Sequence, residues 1–395
     1  LVITVHAAPL AFLVIAAALA SRSDPDFERA ARASGASAAT AFRTITLPLL
    51  RTAITSASGV VFVVAVNSFG VPVLLGTPAG FGTMTTHIYR DLALSADPVA
   101  FTRVLTLAAV LMAITLVVVA STDTAAWLRG MAVRPGTAGG APVRSRTPPV
   151  VSWLLAGYVA LTSLIPLLAL VLTSLTKAVG LPRTPANWTA ANFGRALDGA
   201  GPALRNSLVL SAAAALLAVA LGGAVGALGR RWRGLGTGVV VTFAVPGSAL
   251  AVAVLLAYGS PLRDTLLIIL VAYLAKFWAL GHRPIAGSLE NVPPDLPRAA
   301  RASGAGPLTT LRTITAPLLL PAIIAGFVIV FLFALHELTM SALLYGPGSE
   351  TLAVVILNLR QLGDVTVTAA MAVALTAIVL TVAGLAAVVR RAWVR

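Results

Sequence analysis

The sequence predicts an all-α fold: a polytopic transmembrane helix bundle of about nine helices in two homologous halves, the first truncated at its N-terminus. Three observations carry this expectation. The chain is 58% hydrophobic and only 10% charged. Its apolar residues fall in runs long enough to cross a bilayer. One polar phrase, RAARASGA, occurs at 29–36 and again at 298–305. So little charge over 395 residues excludes an ordinary soluble domain.

In order, the apolar runs are 1–20, 50–72, 101–122, 150–176, 203–229, 236–258, 264–285, 317–343 and 366–391. Each matches the roughly 17–25 residues that carry a helix across about 30 Å of hydrocarbon. They are rich in Ala, Gly and Val, and small residues let helix backbones approach closely in lipid. Leu1 lies inside an apolar run without a basic flank, which reads as a truncated start and not as a signal peptide.

Between the first two runs the chain turns polar, and residues 25–50 align with 294–319 at 18 of 26 identical positions without a gap. Shared composition does not produce that in polar loops, so the segments descend from one unit. Asp24 with Pro25, and Asp295 with Pro297, are helix-starting residues. Gly35 and Gly304 stand where a helix ends on a left-handed residue. Each segment therefore reads as a short amphipathic helix, a glycine turn, and a second helix up to Pro48 or Pro317. If the halves match throughout, residue 1 corresponds to 270, and roughly 120 residues with three helices are missing from an intact twelve-helix chain.

Residues 130–149 are rich in Gly, Pro and Arg and read as a cytoplasmic linker between a first half, 1–129, and a complete second half, 150–395. The loop 177–203, with Trp188 and Phe193, is long enough for a small outer cap.

A net charge of +15 suggests nucleic acid in a soluble protein, but here its distribution decides. Loops 21–51, 123–149, 230–235, 281–316 and 390–395 hold 19 Lys and Arg. The opposite loops, with the span ends beside them, hold 8. That bias puts the first set, the C-terminus included, in the cytoplasm, and no nucleic-acid partner is needed. The chain has no cysteine, so disulfides and thiolate metal sites are excluded.

The pattern Ala-Ala-x3-Gly-x9-Ile-x-Leu-Pro resembles the EAA loop of permease subunits of binding-protein-dependent ABC importers. It stands here as Ala30, Ala31, Gly35, Ile45, Leu47 and Pro48, and again as Ala299, Ala300, Gly304, Ile314, Ala316 and Pro317. The resemblance implies two coupling segments, 25–48 and 294–317, that dock on a cytoplasmic ABC ATPase dimer. It also implies delivery of solute by an extracytoplasmic binding protein, and residence in the cell's inner membrane. The glutamate that usually opens the motif is Arg29 in one copy and Arg298 in the other. Glu28 is adjacent in the first copy and faces Pro297 in the second. No GxxxxGK[ST] occurs, so ATP and magnesium are expected on the partner, with no cofactor, metal site or catalytic residue on this chain.

Two such loops in one chain look like the fused permeases of the ferric-iron importer group, whose relatives carry thiamine and aminoalkylphosphonates; ferric iron is the expected solute. Ionisable groups inside a membrane are costly and point to function. His336 and Glu337 align with Asn67 and Ser68, so one level of both halves is polar and is expected to line the substrate pathway, with Glu337 offering a carboxylate to a hard cation. The alternative is that the pair merely ends its helix. His6 and Lys276 read as snorkelling or packing residues; His87 and His282 carry no assignment. An ion-coupled transporter needs buried acids in several spans, and Glu337 is the single clear one. A membrane enzyme needs clustered acid-base groups, which four scattered histidines do not supply.

Overall fold

Backbone amides in lipid have no water to bond, so apolar stretches that cross a membrane must satisfy them internally, as helices. The computed structural model describes residues 2–22, 25–128, 149–229, 242, 245–293 and 295–394. Among them, eight helices are long and apolar enough to cross a bilayer.

The chain opens with α1 (Val2–Arg22), the short polar α2 (Pro25–Ala33) and the long α3 (Ala38–Val66). After a break come the short α4 (Met84–Tyr89) and the long α5 (Ala100–Leu128). Next follow α6 (Pro149–Leu175), α7 (Ala191–Gly229), α8 (Gly247–Leu262) and α9 (Leu266–Glu290). The second polar segment is α10 (Asp295–Ala302), followed by α11 (Pro307–Leu335), the short α12 (Thr339–Leu344), α13 (Leu352–Gln361) and α14 (Val365–Val394).

Three expectations are corrected. The run 236–258 is not one helix: 236–241 and 243–244 lie outside the described residues, Val245 and Pro246 are non-helical, and α8 starts only at Gly247. The runs 50–72 and 317–343 are each interrupted, because α3 stops at Val66 and α11 at Leu335. Nor do Pro48 and Pro317 start a helix. The backbone passes through both without a stop, through one wide π turn at Phe42–Thr46 and another at Leu311–Thr315. Proline lacks an N–H and its ring collides with the carbonyl four residues back. Placing a π turn just before it re-spaces those carbonyls. Leu47 N–H accordingly donates to Phe42 O, and Ala316 N–H to Leu311 O, each five residues back.

The linker 130–149 lies outside the described residues except for Pro149, which begins α6. The chain divides into two compact units, one made of 1–91 with 97–165, the other of 92–96 with 166–395. In the first, α3 packs on α1 and α5 and buries Ala53, Ala57, Gly59 and Val63. In the second, α7, α9 and α11 form a three-helix core around Ala214, Ala215, Ala218, Ala272 and Val330, all fully buried. The loop between α6 and α7 is short: Thr176 and Trp188 form an isolated bridge, and from Ala191 the chain is already helix. Buried Asn192 closes this loop by donating to Ser174 O and Thr176 O. On α6, Trp153, Leu154 and Leu161 are largely exposed, as on a lipid-facing helix.

Candidate functional site: two duplicated polar segments and two helix breaks

The two polar segments share a detailed design. In the first, Gly35 N–H donates to Arg32 O and Ala36 N–H to Ala31 O; in the second, Gly304 N–H donates to Arg301 O and Ala305 N–H to Ala300 O, all at 3.0 Å. This double bond pattern satisfies the carbonyls at a helix end and requires a left-handed residue. Gly35 and Gly304 supply it with φ of +86° and +80°. Ser34 and Ser303 Oγ each donate to the carbonyl four residues back. Past the turn, Thr44 Oγ1 donates to Thr40 O and Thr313 Oγ1 to Thr309 O.

Ala30, Ala299, Arg29 and Arg298 are exposed, while Ala31, Ala300, Ile45 and Ile314 are half-buried and hold the short helix against the next. Pro48 is half-buried and Pro317 exposed. A Cβ added at Gly35 or Gly304 would meet no atom within 4 Å. Large apolar side chains stand in the open at matching places: Phe27 and Leu296, and Phe42 and Leu311, each at least 41% exposed. The two copies thus present exposed apolar side chains and exposed arginines at the same places.

The copies differ at Glu28, expected as a substitute for the missing motif glutamate. Its Oε1 accepts a 2.5 Å hydrogen bond from Thr46 Oγ1, which ties α2 to the π turn of α3. The second copy has Pro297 there and lacks this tie, while Arg298 Nη1 instead donates to Asp295 Oδ1 at 3.1 Å within α10. Thr46→Val is expected to remove about 1–2 kcal/mol from the α2 attachment, because a bond to a charged acceptor is lost. Hydrogen exchange should then quicken at the amides of 29–33 and stay unchanged at 298–302.

The polar level after each long helix is where both halves break. Asn67 closes α3 by donating Nδ2–H to Val63 O at 2.6 Å, and His336 closes α11 by donating Nδ1–H to Leu332 O at 2.5 Å. The two residues do the same job four residues from their acceptors. Ser68 is half-buried, and its carbonyl accepts from Thr85 Oγ1. The Glu337 carboxylate is engaged by backbone. Both its oxygens accept from Met340 N–H at 3.0 Å, and Oε2 also from Ser341 N–H and Oγ, so the carboxylate caps α12. The four first amides of a helix lack partners, and an acid there is the efficient remedy.

Lys276, read as a snorkelling residue, belongs to this network. It donates to Val245 O just ahead of α8 and lies within electrostatic reach of Glu337. Tyr273, which the sequence did not single out, bonds Ser341 Oγ at 2.6 Å. Its spacing of three from Lys276 on one helix face was the available signal. His282 Nδ1 bonds Gly222 O between α9 and α7, and His6 is exposed.

A family model described as "Binding-protein-dependent transport system inner membrane component" matches residues 1–125 and 136–395. A Salmonella paratyphi A protein assigned to 2-aminoethylphosphonate transport as a permease, PhnV, is 31% identical over 206 residues, 50% of this chain and 77% of that protein. The putrescine transport system permease PotI of Escherichia coli K12 is 30% identical over 55% of this chain and 82% of its own length. The ferric-iron transport permease FbpB 2 of Haemophilus influenzae is 29% identical over 29% of this chain and 23% of its own.

Proposed function

From the premise that the chain belongs to the family of binding-protein-dependent transport system inner membrane components, we propose that it is the permease of an ATP-driven importer coupled through 25–48 and 294–317 to a cytoplasmic ATPase dimer. The observation that carries this reading is the pair of helices closed by the same glycine turn, with exposed Phe27, Phe42, Leu296 and Leu311. ATP is hydrolysed on the partner. Closing and opening of the ATPase dimer shift the bundle between two states, and a binding protein on the far side delivers the solute. The C-terminus lies in the cytoplasm with the coupling segments. The solute passes beside the helix breaks at 67–69 and 336–338, where irregular backbone is tolerated because it lines a path.

For the solute, two readings have support. Ferric iron follows from the two-loop design and from the short Haemophilus match. Aminoalkylphosphonate is supported by the longer Salmonella match, and the engagement of both Glu337 oxygens by α12 weakens the argument for a hard cation. Uptake of both solutes into proteoliposomes carrying the chain, its ATPase and its binding protein separates them.

The coupling role is tested by co-purification with the ATPase encoded beside the chain, comparing wild type with Gly35→Asp plus Gly304→Asp. Each substitution forces a side chain into the left-handed region at about 1–2 kcal/mol and points it outward, where nothing in the chain resists it. Loss of the ATPase with thermal unfolding of the bundle nearly unchanged is expected. Equal recovery with both proteins refutes coupling at these helices.

A further inference from the structure

A pocket of about 250 Å³ lies beside α4, lined by Thr77, Phe81, Gly82, Thr86, His87 and Arg90. The glycine-rich stretch 76–82 builds it. Phe81 N–H returns to Gly76 O at 2.9 Å, and Gly80 turns with φ +75°. A Cβ at Gly76 would lie 2.8 Å from Phe81 O, and one at Gly82 would lie 2.7 Å from His87 Nε2. Glycine at both places lets the loop close and lets the His87 ring rest on its backbone. Thr83 then caps α4, which sets His87 and Arg90 three residues apart on one face.

The lining is electrostatically one-sided. Its two titratable groups are His87 and Arg90, and among the described residues neither side chain has an ion pair or hydrogen bond. Asp91, next in sequence, is held by Arg103 at 3.1 Å, and Arg103 also holds Asp97. Around this floor, Leu75 and Phe81 are 58% and 65% exposed.

The internal duplicate supplies a control. Thr351 stands at the start of α13 with backbone angles close to those of Thr83, though its side chain makes no capping bond. The residues four and seven positions after it are Val355 and Asn358, where the first half has His87 and Arg90. The only cation of α13, Arg360, stands instead in its last turn, so the His87–Arg90 pair beside the glycine loop is particular to the first half.

The pocket lies beyond the end of α3 opposite its coupling segment, hence on the extracytoplasmic side if those segments dock the ATPase. We propose that it receives a carboxylate side chain of the solute-binding protein, gripped by the two-pronged Arg90 guanidinium beside His87, with Leu75 and Phe81 excluding water at the rim. This inference rests on the importer function proposed for the chain.

The test measures binding of the solute-binding protein encoded beside the chain to the full chain with its ATPase in nanodiscs. Arg90→Glu is expected to raise Kd about tenfold or more and to flatten its dependence on NaCl between about 0.05 and about 0.3 M. His87→Gln should give a smaller rise. Lysine in place of one acidic residue on the binding protein's docking face should restore binding to Arg90→Glu and not to wild type. Thermal unfolding and ATPase recovery should stay at wild-type values, since Arg90 is exposed. An unchanged Kd in Arg90→Glu overturns the proposal even if uptake falls, because the pocket would then be serving a free anionic solute. Failure of the binding protein to associate with wild type, with the ATPase still bound, overturns the proposal together with the importer reading.

Discussion

Leucine at Gly281 is expected to unmake the helix core of the second unit. A Cβ at this position would sit 2.9 Å from the carbonyl carbon and oxygen of Ala218 and 3.1 Å from the Val219 nitrogen. These are backbone atoms of α7 and cannot swing aside. Gly326 of α11 approaches the same spot, since its Cβ would lie 3.1 Å from Gly281 O. One turn away, a Cβ at Gly222 would lie 2.6 Å from the His282 nitrogen. Three backbones thus meet through three glycines, and a larger side chain forces α9 off α7. The fully buried Ala214, Ala215 and Ala218 then lose their contacts, and His282 loses Gly222 O at 2.9 Å. Overpacking usually costs about 1–3 kcal/mol, and with rigid backbone on the other side the cost should reach the upper end or beyond. The readouts are thermal unfolding and size-exclusion profile in detergent. Gly281→Leu should lower Tm sharply or abolish a monodisperse peak, with Gly281→Ala between it and wild type. An unchanged Tm for the leucine variant would mean that the helices do not meet there.

The second large effect is expected at Glu337. Its carboxylate accepts from two backbone amides and one hydroxyl at the start of α12 and faces Lys276 electrostatically. Alanine removes the cap, worth about 0.5–2 kcal/mol, and leaves Lys276 without the carboxylate within its electrostatic reach. Because the lost acceptor is charged, a total of about 1–3 kcal/mol is expected. Gln keeps one acceptor oxygen and should lose less. Lys276→Met combined with Glu337→Ala should lose less than the sum of the single changes, and strict additivity would show that the two groups do not interact.

Much of this was legible in the sequence for physical reasons. Hydropathy locates helices because lipid leaves an apolar chain no other regular structure, and the repeat located the paired segments because polar residues do not recur in register by composition. What stayed hidden is backbone direction. Residues 69–75 and 338–344 remain apolar across the breaks after Val66 and Leu335, so composition ran the spans through them. The polar pairs Asn67–Ser68 and His336–Glu337 did mark those breaks, and the alternative that they end their helices matches the bonds of Asn67, His336 and Glu337 to nearby backbone. The π turns left one trace, the prolines six residues past their first residue, and proline alone suggests a helix start as readily. Lys276 looked solitary because Val245 and Glu337 are far from it in sequence.

The most direct measurement uses the absence of cysteine in the chain. Single cysteines are placed at Phe27 and at Leu296, both exposed on the short helices, and at Trp153 on the lipid-facing α6 as control. Each variant is then cross-linked through a short thiol-reactive reagent to its ATPase in nanodiscs. Cross-links from positions 27 and 296, weakened by ATP as the dimer rearranges and absent from position 153, are the expected result. Cross-linking from neither segment, while the ATPase remains bound, would contradict the coupling role of the two repeated helices.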